Sequence, residues 1–309
     1  MFFFIGGFYM NLRTDLAVES IYTHHGEGIK ENTLETQSGI IITTVKIITE
    51  EASGKVGKPI GTYVTLENKN GEARDVKETE NLSEALADEL KKLLPKNAEK
   101  ILVCGLGNRS ITPDALGPMC TDGLMITNHI INHLNASGEK DFSAVSAIAP
   151  GVMGITGIET GDIIKGIADF HKPDAVIAVD ALCAANAKRM FTTVQITDSG
   201  INPGAGIGNR REGLNEKTLG VPVIAVGVPT VVDADSIIYD AAHSFFEKNN
   251  SLSDGEKIIN AMLSETKSLI VSPKDIDRLI KKSAKILANG INLALHKNID
   301  FEFMENYIS

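Results

Sequence analysis

The feature that most constrains the fold is a series of short apolar runs, each bounded by Gly, Pro or Asp. They lie at 100–107, 143–150, 174–181, 192–198 and 221–229. Helical patterns separate several of these runs, and continuous apolar strands are typical of a parallel sheet that is covered on both faces. We therefore predict an α/β fold with three layers, α/β/α, around a mainly parallel central sheet.

The segments before and after these apolar runs have other patterns. Residues 39–50 and 61–67 predict two strands, antiparallel to each other, which follow a polar arm at 11–37 and form a small N-terminal β segment. A helix is predicted at 81–94, a polar loop at 249–255 and an amphipathic helix at 275–295. We expect one α/β domain in three parts: an arm with strands (16–80), the α/β core (81–248) and C-terminal helices (255–309).

Charge and cysteine content exclude several classes of function. The formal net charge of −10 argues against a broad cationic surface for nucleic acid. Three cysteines, with no CxxC pair, suggest neither a disulfide framework nor a zinc cage, which favours a reducing cytoplasm. At 309 residues the chain can bury a core without such cross-links.

The first ten residues, MFFFIGGFYM, are apolar, but they lack basic residues and are far shorter than a membrane span of about 20 residues. They match neither a signal peptide nor an anchor. Translation that begins at Met10 and a short N-terminal appendage both fit this sequence.

Two aspartates follow apolar runs of the predicted sheet. Asp114 lies in the loop after 100–107, next to Pro113 and just before Gly117, and Asp180 ends the run at 174–181. Loops at the carboxyl ends of parallel strands converge at one edge, so we expect the two carboxylates to lie close together. A desolvated pair of this kind can share one proton and act as general base and general acid in a hydrolysis.

A purely structural role is the alternative for each aspartate. Asp114 would cap a helix that begins near Met119, and Asp180 would cap the turn after its strand. Other candidates are weaker: His129 and His133 have i,i+4 spacing without the Glu of HExxH, and Cys104 and Cys183 are interpreted as packing residues.

The segment 199–214, SGINPGAGIGNRREGL, is rich in glycine and contains Arg210 and Arg211. It predicts either a surface loop or a substrate-binding flap with an arginine pair for an acidic group. The loop Gly105–Asn108 is a further candidate for the site, because its main-chain N–H groups could stabilise an oxyanion.

Five motifs together resemble the germination proteases of spore-forming bacteria, and the likeness runs from RTDLAVE (13–19) through most of the chain. The motifs are LVCGLGNRSITPDALGP, IAPGVMGITGIET, DAVIAVDALCA, SGINPGAGIGNRR and GVPVIAVGVPTVVDA. The resemblance implies an atypical aspartic endopeptidase, made as a zymogen and typically tetrameric. Its substrates would be the small acid-soluble proteins of the spore core, degraded when germination begins.

The resemblance also implies site residues. The two essential aspartates of the family match Asp114 and Asp180, with no metal or other cofactor. Family cleavage sites place an acidic residue before an apolar one and then Ala, and Thr14-Asp15-Leu16-Ala17 has that form, so we expect self-cleavage between Asp15 and Leu16. Residues 1–15 would be the propeptide. The acidic residue requires a cationic counterpart, for which the candidates are Arg109, Arg189, Arg210 and Arg211.

Two other functions fit parts of the sequence. The loop and the strand-end aspartate also resemble the hydrogenase maturation endopeptidases, which share a related α/β fold and use a His to read nickel in their substrate. Here the first His after GVPVIAVGVPTVVDA is His243. A non-enzymatic nucleotide-binding module that uses CGLGNRS as a phosphate loop is the other possibility, and it predicts stabilisation by nucleotides.

Overall fold

The structure, a computed structural model, describes residues 13–21, 26–134, 142–202, 213–248, 258 and 269–308. The apolar N-terminus, the predicted loop at 249–255 and the pair Arg210 and Arg211 lie outside the described residues.

The strands are β1 Ile29–Glu35, β2 Ile40–Ile47, β3 Gly61–Asn68, β4 Lys100–Gly105, β5 Ala144–Ile148, β6 Ala175–Ala184, β7 Thr193–Thr197, β8 Val223–Asp233 and β9 Ile270–Val271. The helices are α1 Ala17–Ser20, α2 Glu50–Val56, α3 Val76–Leu93, α4 Leu116–Asp122, α5 Asn128–Leu134, α6 Met153–Thr156, α7 Thr160–His171, α8 Glu216–Leu219, α9 Ala234–Lys248, α10 Ile276–Leu295 and α11 Phe301–Ile308.

Within the described ranges, the nine strands belong to one mixed sheet with the order β1-β2-β3-β7-β8-β6-β4-β5, and β9 pairs with β8. Strands β8, β6, β4 and the edge strand β5 are parallel to one another, and the other pairings are antiparallel. The predicted α/β class is confirmed, and so is the antiparallel pairing of β2 with β3. The run at 192–198, however, became an antiparallel strand. The link from β6 to β7 is short and contains only a 3₁₀ turn, whereas a parallel connection needs a crossover of roughly a dozen residues.

Helices cover both faces of the sheet. On one face α3, α4 and α10 pack against the central strands, with Leu86, Leu90 and Leu287 fully buried in that cluster. The opposite face carries α7 and α8 over the parallel strands, and α1 and α2 over β2 and β3. This second face matters for function because α1 brings the N-terminal segment onto it.

Strand β1 was not predicted, since residues 11–37 read as a polar arm. Apart from its first residue, β1 is exposed, and its seven residues pair only with β2, so its sequence lacks the alternation that burial imposes. The predicted helix at 81–94 begins earlier, at Val76, because the Asp75 side chain accepts a hydrogen bond from Glu78 N and caps it.

Candidate active site

Asp114 lies in a 3₁₀ turn, Thr112–Asp114, between β4 and α4. Its Oδ2 accepts a hydrogen bond of 2.8 Å from the main-chain N–H of Asn108. The hydroxyl of Thr230, on β8, donates to the carbonyl oxygen of Pro113 at 2.8 Å. The loop after β4 and the neighbouring strand thus fix the position of this carboxylate together.

Gly107 shows why this loop is rich in glycine. Its φ is +107°, a conformation that L residues with side chains rarely adopt. A Cβ atom there would lie 2.1 Å from the carbonyl oxygen of Asp114 and 2.9 Å from its Oδ1. Only glycine lets the loop fold back closely on Asp114.

Asp180 lies inside β6 and not at its end. The strand continues to Ala184, with a register shift against β8 between Leu182 and Cys183, so the expectation of a strand-end aspartate was wrong. The apolar residues after Asp180 extend the strand. The side chain is consequently buried, with the residue 7% exposed, and its Oδ1 accepts from Ala181 N at 2.9 Å.

Neither aspartate has the capping role of the structural alternative. The N-cap residue of α4 is Ala115, without a side-chain hydrogen bond, and Asp114 precedes it. Asp180 is followed by more strand and not by a turn. Both aspartates line one cleft of about 1150 Å³.

Burial raises the pKa of Asp180 well above its usual 3.8, and the negative charge of Asp114 raises it further. The Ala181 N–H lowers this pKa and a smaller contribution from Asp15 raises it, so the net shift is upward. Asp180 therefore favours the protonated form, and a protonated carboxyl can donate a proton.

The N-terminal segment enters the same cleft. The N–H of Asp15 donates to the carbonyl oxygen of Cys183 at 2.8 Å, and the N–H of Cys183 donates to Oδ2 of Asp15 at 2.8 Å. The next residue, Leu16, is fully buried against Val18, Leu182 and Ala184. The peptide bond expected to be cleaved is therefore anchored on both sides.

Glu19 fixes the segment one turn further on. Its carboxylate accepts hydrogen bonds from the N–H groups of Ala185 at 2.7 Å and Asn186 at 3.0 Å, and from the hydroxyl of Thr14. The Leu16 N–H donates in turn to Thr14 Oγ1 at 3.0 Å. The main chain that follows β6 thus binds the segment through charge-assisted hydrogen bonds.

Lys58 is a cation of the cleft that the sequence reasoning missed. Its Nζ donates to the carbonyl oxygen of Thr14 at 2.8 Å. Burial lowers its pKa, and the charges of Asp15 and Glu19 raise it in part. Lys58 lies in the short link between α2 and β3, and its sequence context, KVGKPIG, gives no sign that the chain folds over it.

The predicted arginines have other partners where the structure describes them. Arg109 forms an ion pair with Asp122, with Nη1 and Oδ2 2.6 Å apart. Arg189 pairs with Glu67 at 2.7 Å and with Glu19 at 3.5 Å, so it reaches the N-terminal segment through Glu19. Residues 203–212 of the predicted flap, with Arg210 and Arg211, lie outside the described residues, and its base is closed by the bridge between Ile201 and Leu214.

The loop N–H groups proposed for an oxyanion are already used in part. Leu106 N donates to Val179 O at 2.8 Å, and Asn108 N donates to Asp114. An acidic side chain against these amides also disfavours the loop as a phosphate site. Within the part of the chain that the structure describes, no three His, Cys, Asp or Glu side chains form a group able to hold a metal ion.

The three thiols are buried and without disulfides. Burial raises the pKa of Cys104 to about 12 and that of Cys183 to about 12, and it raises the pKa of Cys120 as well. This agrees with their interpretation as packing residues. None of the helices in the described ranges has the length and apolar character needed to cross a membrane.

Together, the fold and this cleft define a three-layer α/β protein with a pair of carboxylates at the carboxyl side of its parallel strands. The family model for germination proteases matches residues 14–251 and 244–308. The chain belongs to the germination protease family, and it is a peptidase of that family.

Curated relatives cover nearly the whole chain. The germination protease of Clostridium acetobutylicum is 39% identical over 97% of this chain and 99% of its own length. Those of Caldanaerobacter subterraneus and Bacillus subtilis are 40% and 38% identical, over 94% and 96% of this chain and 96% of each relative. A solved NiFe hydrogenase maturation protease, HycI from Thermococcus kodakarensis, aligns with 67% of this chain at a TM-score of 0.35 and 18% identity. The predicted relation to that class stays a prediction.

Proposed function

We propose that the chain is a self-processing endopeptidase that initiates the degradation of small acid-soluble spore proteins in the spore core during germination. One observation carries this proposal: Asp15, the residue before the expected cut, lines the same cleft as Asp114 and Asp180. A chain that carries its own cleavage sequence next to a carboxylate pair has the arrangement that self-cleavage needs.

The carboxylate pair supplies the acid and the base. Asp180, with its raised pKa, carries the shared proton and gives it to the reacting amide. Asp114 takes a proton from the attacking water. Water then adds to the carbonyl carbon of Asp15, the bond to the nitrogen of Leu16 breaks, and the new N-terminus of Leu16 leaves protonated.

Recognition of an acidic residue before the cut follows from the contacts of Asp15. Its carboxylate binds the N–H of Cys183, and its charge interacts with that of the half-buried Lys58. Arg109 is engaged with Asp122, so Lys58 is the stronger candidate for the cationic counterpart. A spore protein with an acidic, an apolar and a small residue in sequence would occupy the positions of Asp15, Leu16 and Ala17.

Regulation follows from the same contacts. Asp15 occupies the main-chain groups of Cys183 and the amide of Gln195 that an external substrate would need, so residues 1–15 act as a propeptide whose removal frees these groups. The family resemblance further suggests a homotetramer, which light scattering on the purified chain tests directly.

The test is intact mass with N-terminal sequencing over time, at mildly acidic and neutral pH. Wild type should trim to Leu16, whereas Asp114→Asn and Asp180→Asn should stay whole while folded. Asp277→Asn, which changes an exposed aspartate at the start of α10, is the matched control and should trim like wild type. Equal trimming by every variant would identify a contaminating protease and remove the support for the pair. A wild type that neither trims nor cleaves an added small acid-soluble protein would contradict the proposal.

A further inference from the structure

Gln195 lies on β7 at the level of Asp180. In the sheet register Gln195 is opposite Gly227 of β8, and Gly227 is opposite Asp180 of β6. Strands are spaced by about 4.8 Å, so the α-carbons of Gln195 and Asp180 are roughly 10 Å apart on the same face. The Gln195 residue is 6% exposed, and its side chain lines the cleft.

Both ends of the Gln195 amide bind the N-terminal segment. Nε2 donates to the carbonyl oxygen of Asp15 at 2.9 Å, and Oε1 accepts from the N–H of Ala17 at 2.7 Å. A flipped amide would place oxygen against oxygen and N–H against N–H, so the two partners fix its orientation. The peptide bond between Asp15 and Leu16 is thus spanned by one side chain, which binds its carbonyl oxygen.

Gly227 lies between Gln195 and Asp180 in the sheet, and neighbouring atoms fill the space that a side chain would need. A Cβ atom at this position would lie 2.7 Å from the carbonyl oxygen of Asp180 and 2.7 Å from Cγ of Leu182. Any side chain here would therefore displace β6 or Leu182. With glycine, Leu182 can lie close to the sheet between the amide and the acid, where it packs against Leu16.

We infer that Gln195 is a catalytic residue that stabilises the oxyanion of the reaction. This inference rests on the proposed function. When the oxygen of water bonds to the carbonyl carbon of Asp15, the π electrons move to the carbonyl oxygen, which Nε2–H of Gln195 stabilises. As the C–O double bond re-forms, the bond to the Leu16 nitrogen breaks and that nitrogen takes the proton from Asp180. Removing one such donor lowers kcat by about 10²–10³-fold in a known protease.

If Gln195 only held the N-terminal segment in place, its replacement would weaken the binding of the segment and the rate of cleavage together. Gln195→Glu distinguishes this structural role from the catalytic one. The introduced carboxylate keeps an acceptor for the N–H of Ala17 and loses the donor to the carbonyl of Asp15. Gln195→Met, a substitution of similar length, loses both. Gln37→Glu changes an exposed glutamine in the turn between β1 and β2 and is the matched control.

The experiment measures two quantities on the full-length chains. The first is the first-order rate of cleavage between Asp15 and Leu16, and the second is the protection of the amides of residues 16–20 against hydrogen exchange. Exchange is measured in an Asp114→Asn background, in which no trimming occurs. We expect Gln195→Glu to keep the protection within about threefold and to trim about 100-fold more slowly than wild type. Gln195→Met should lose both protection and rate.

Three results would overturn the assignment. If Gln195→Glu or Gln195→Met trims within threefold of wild type, Gln195 is not the oxyanion donor, although the proposed function stands. If the loss of rate in both variants equals the loss of protection, the role is structural only. If wild type itself does not trim and cleaves no added substrate, the proposed function fails first and this inference fails with it. Should Gln195→Glu not fold, Gln195→Met overturns the assignment if it trims within threefold of wild type or if its loss of rate equals its loss of protection, and it supports the assignment if the loss of rate is the larger.

Discussion

The main-chain N–H of Cys183 lies 2.8 Å from the carboxylate of Asp15, although 168 residues separate the two in sequence. The same two residues are joined a second time, through Asp15 N and Cys183 O. Because β6 continues past Asp180, its last residues offer these groups beside the catalytic candidates. The extension of a strand thus creates a binding site for an acidic residue next to the cleft.

Asp15→Asn should slow trimming by about fivefold to tenfold. An amide oxygen still accepts from Cys183 N, but a charge-assisted hydrogen bond is roughly twice as strong as a neutral one, a difference of about 1 kcal/mol. Asp15→Glu keeps the charge and is the comparison. The rates are measured by intact mass, and trimming of Asp15→Asn at the wild-type rate would show that the carboxylate is not recognised.

Lys58→Met should reduce the preference for an acidic residue before the cut. The ammonium group of the half-buried Lys58 interacts with the charge of Asp15, so the penalty for Asp15→Asn should become smaller when Lys58 is also replaced. Lys55→Met is the matched control, since Lys55 is exposed on α2 and pairs with Glu51. A double-mutant cycle on the trimming rate measures the coupling. Additive effects of Asp15→Asn and Lys58→Met would exclude a role for Lys58 in recognition.

Asp180→Asn should raise the melting temperature at neutral pH by a few degrees. The folded-state pKa of Asp180 lies above its unfolded value of 3.8, so the folded protein binds this proton more tightly. The resulting stability is fully present below the unfolded pKa and is lost as the pH rises through the folded pKa. An asparagine does not ionise, so the variant does not lose stability as the pH rises through the folded-state pKa of Asp180. The difference in melting temperature between variant and wild type should therefore shrink as the pH falls towards 4. Thermal unfolding followed by circular dichroism between pH 4 and 8 tests this, and a variant that is less stable at pH 7 would contradict it.

Alkylation of the native protein with iodoacetamide should leave the trimming rate unchanged. All three thiols are buried, and burial raises the pKa of Cys104 and of Cys183 to about 12, so almost no thiolate is present at neutral pH. Mass spectrometry should find three modified cysteines only after unfolding. Rapid inactivation with modification of Cys183 in the folded chain would require a different account of the site.

The sequence by itself determined the α/β class, because continuous apolar runs only suit strands that are covered on both faces. It also identified Asp114 and Asp180 as the candidate pair, since each follows an apolar run of the predicted parallel sheet. The motif of Gly107 and Asp114 is equally local: the two residues are seven positions apart, and their contact follows from one tight loop.

Only the tertiary structure decided what surrounds the pair. The extension of β6 past Asp180, and the antiparallel direction of β7, depend on pairing with β8, which lies some forty residues further along the chain. Gln195 and Lys58 became candidates because the N-terminal segment packs over them, 178 residues from Ala17 in one case and 44 residues from Thr14 in the other. The periodicity of apolar residues indicates which face of a helix or strand is buried, but it does not indicate which distant segment packs on that face. The contacts of Gln195 and Lys58 with the N-terminal segment therefore could not be predicted from the sequence.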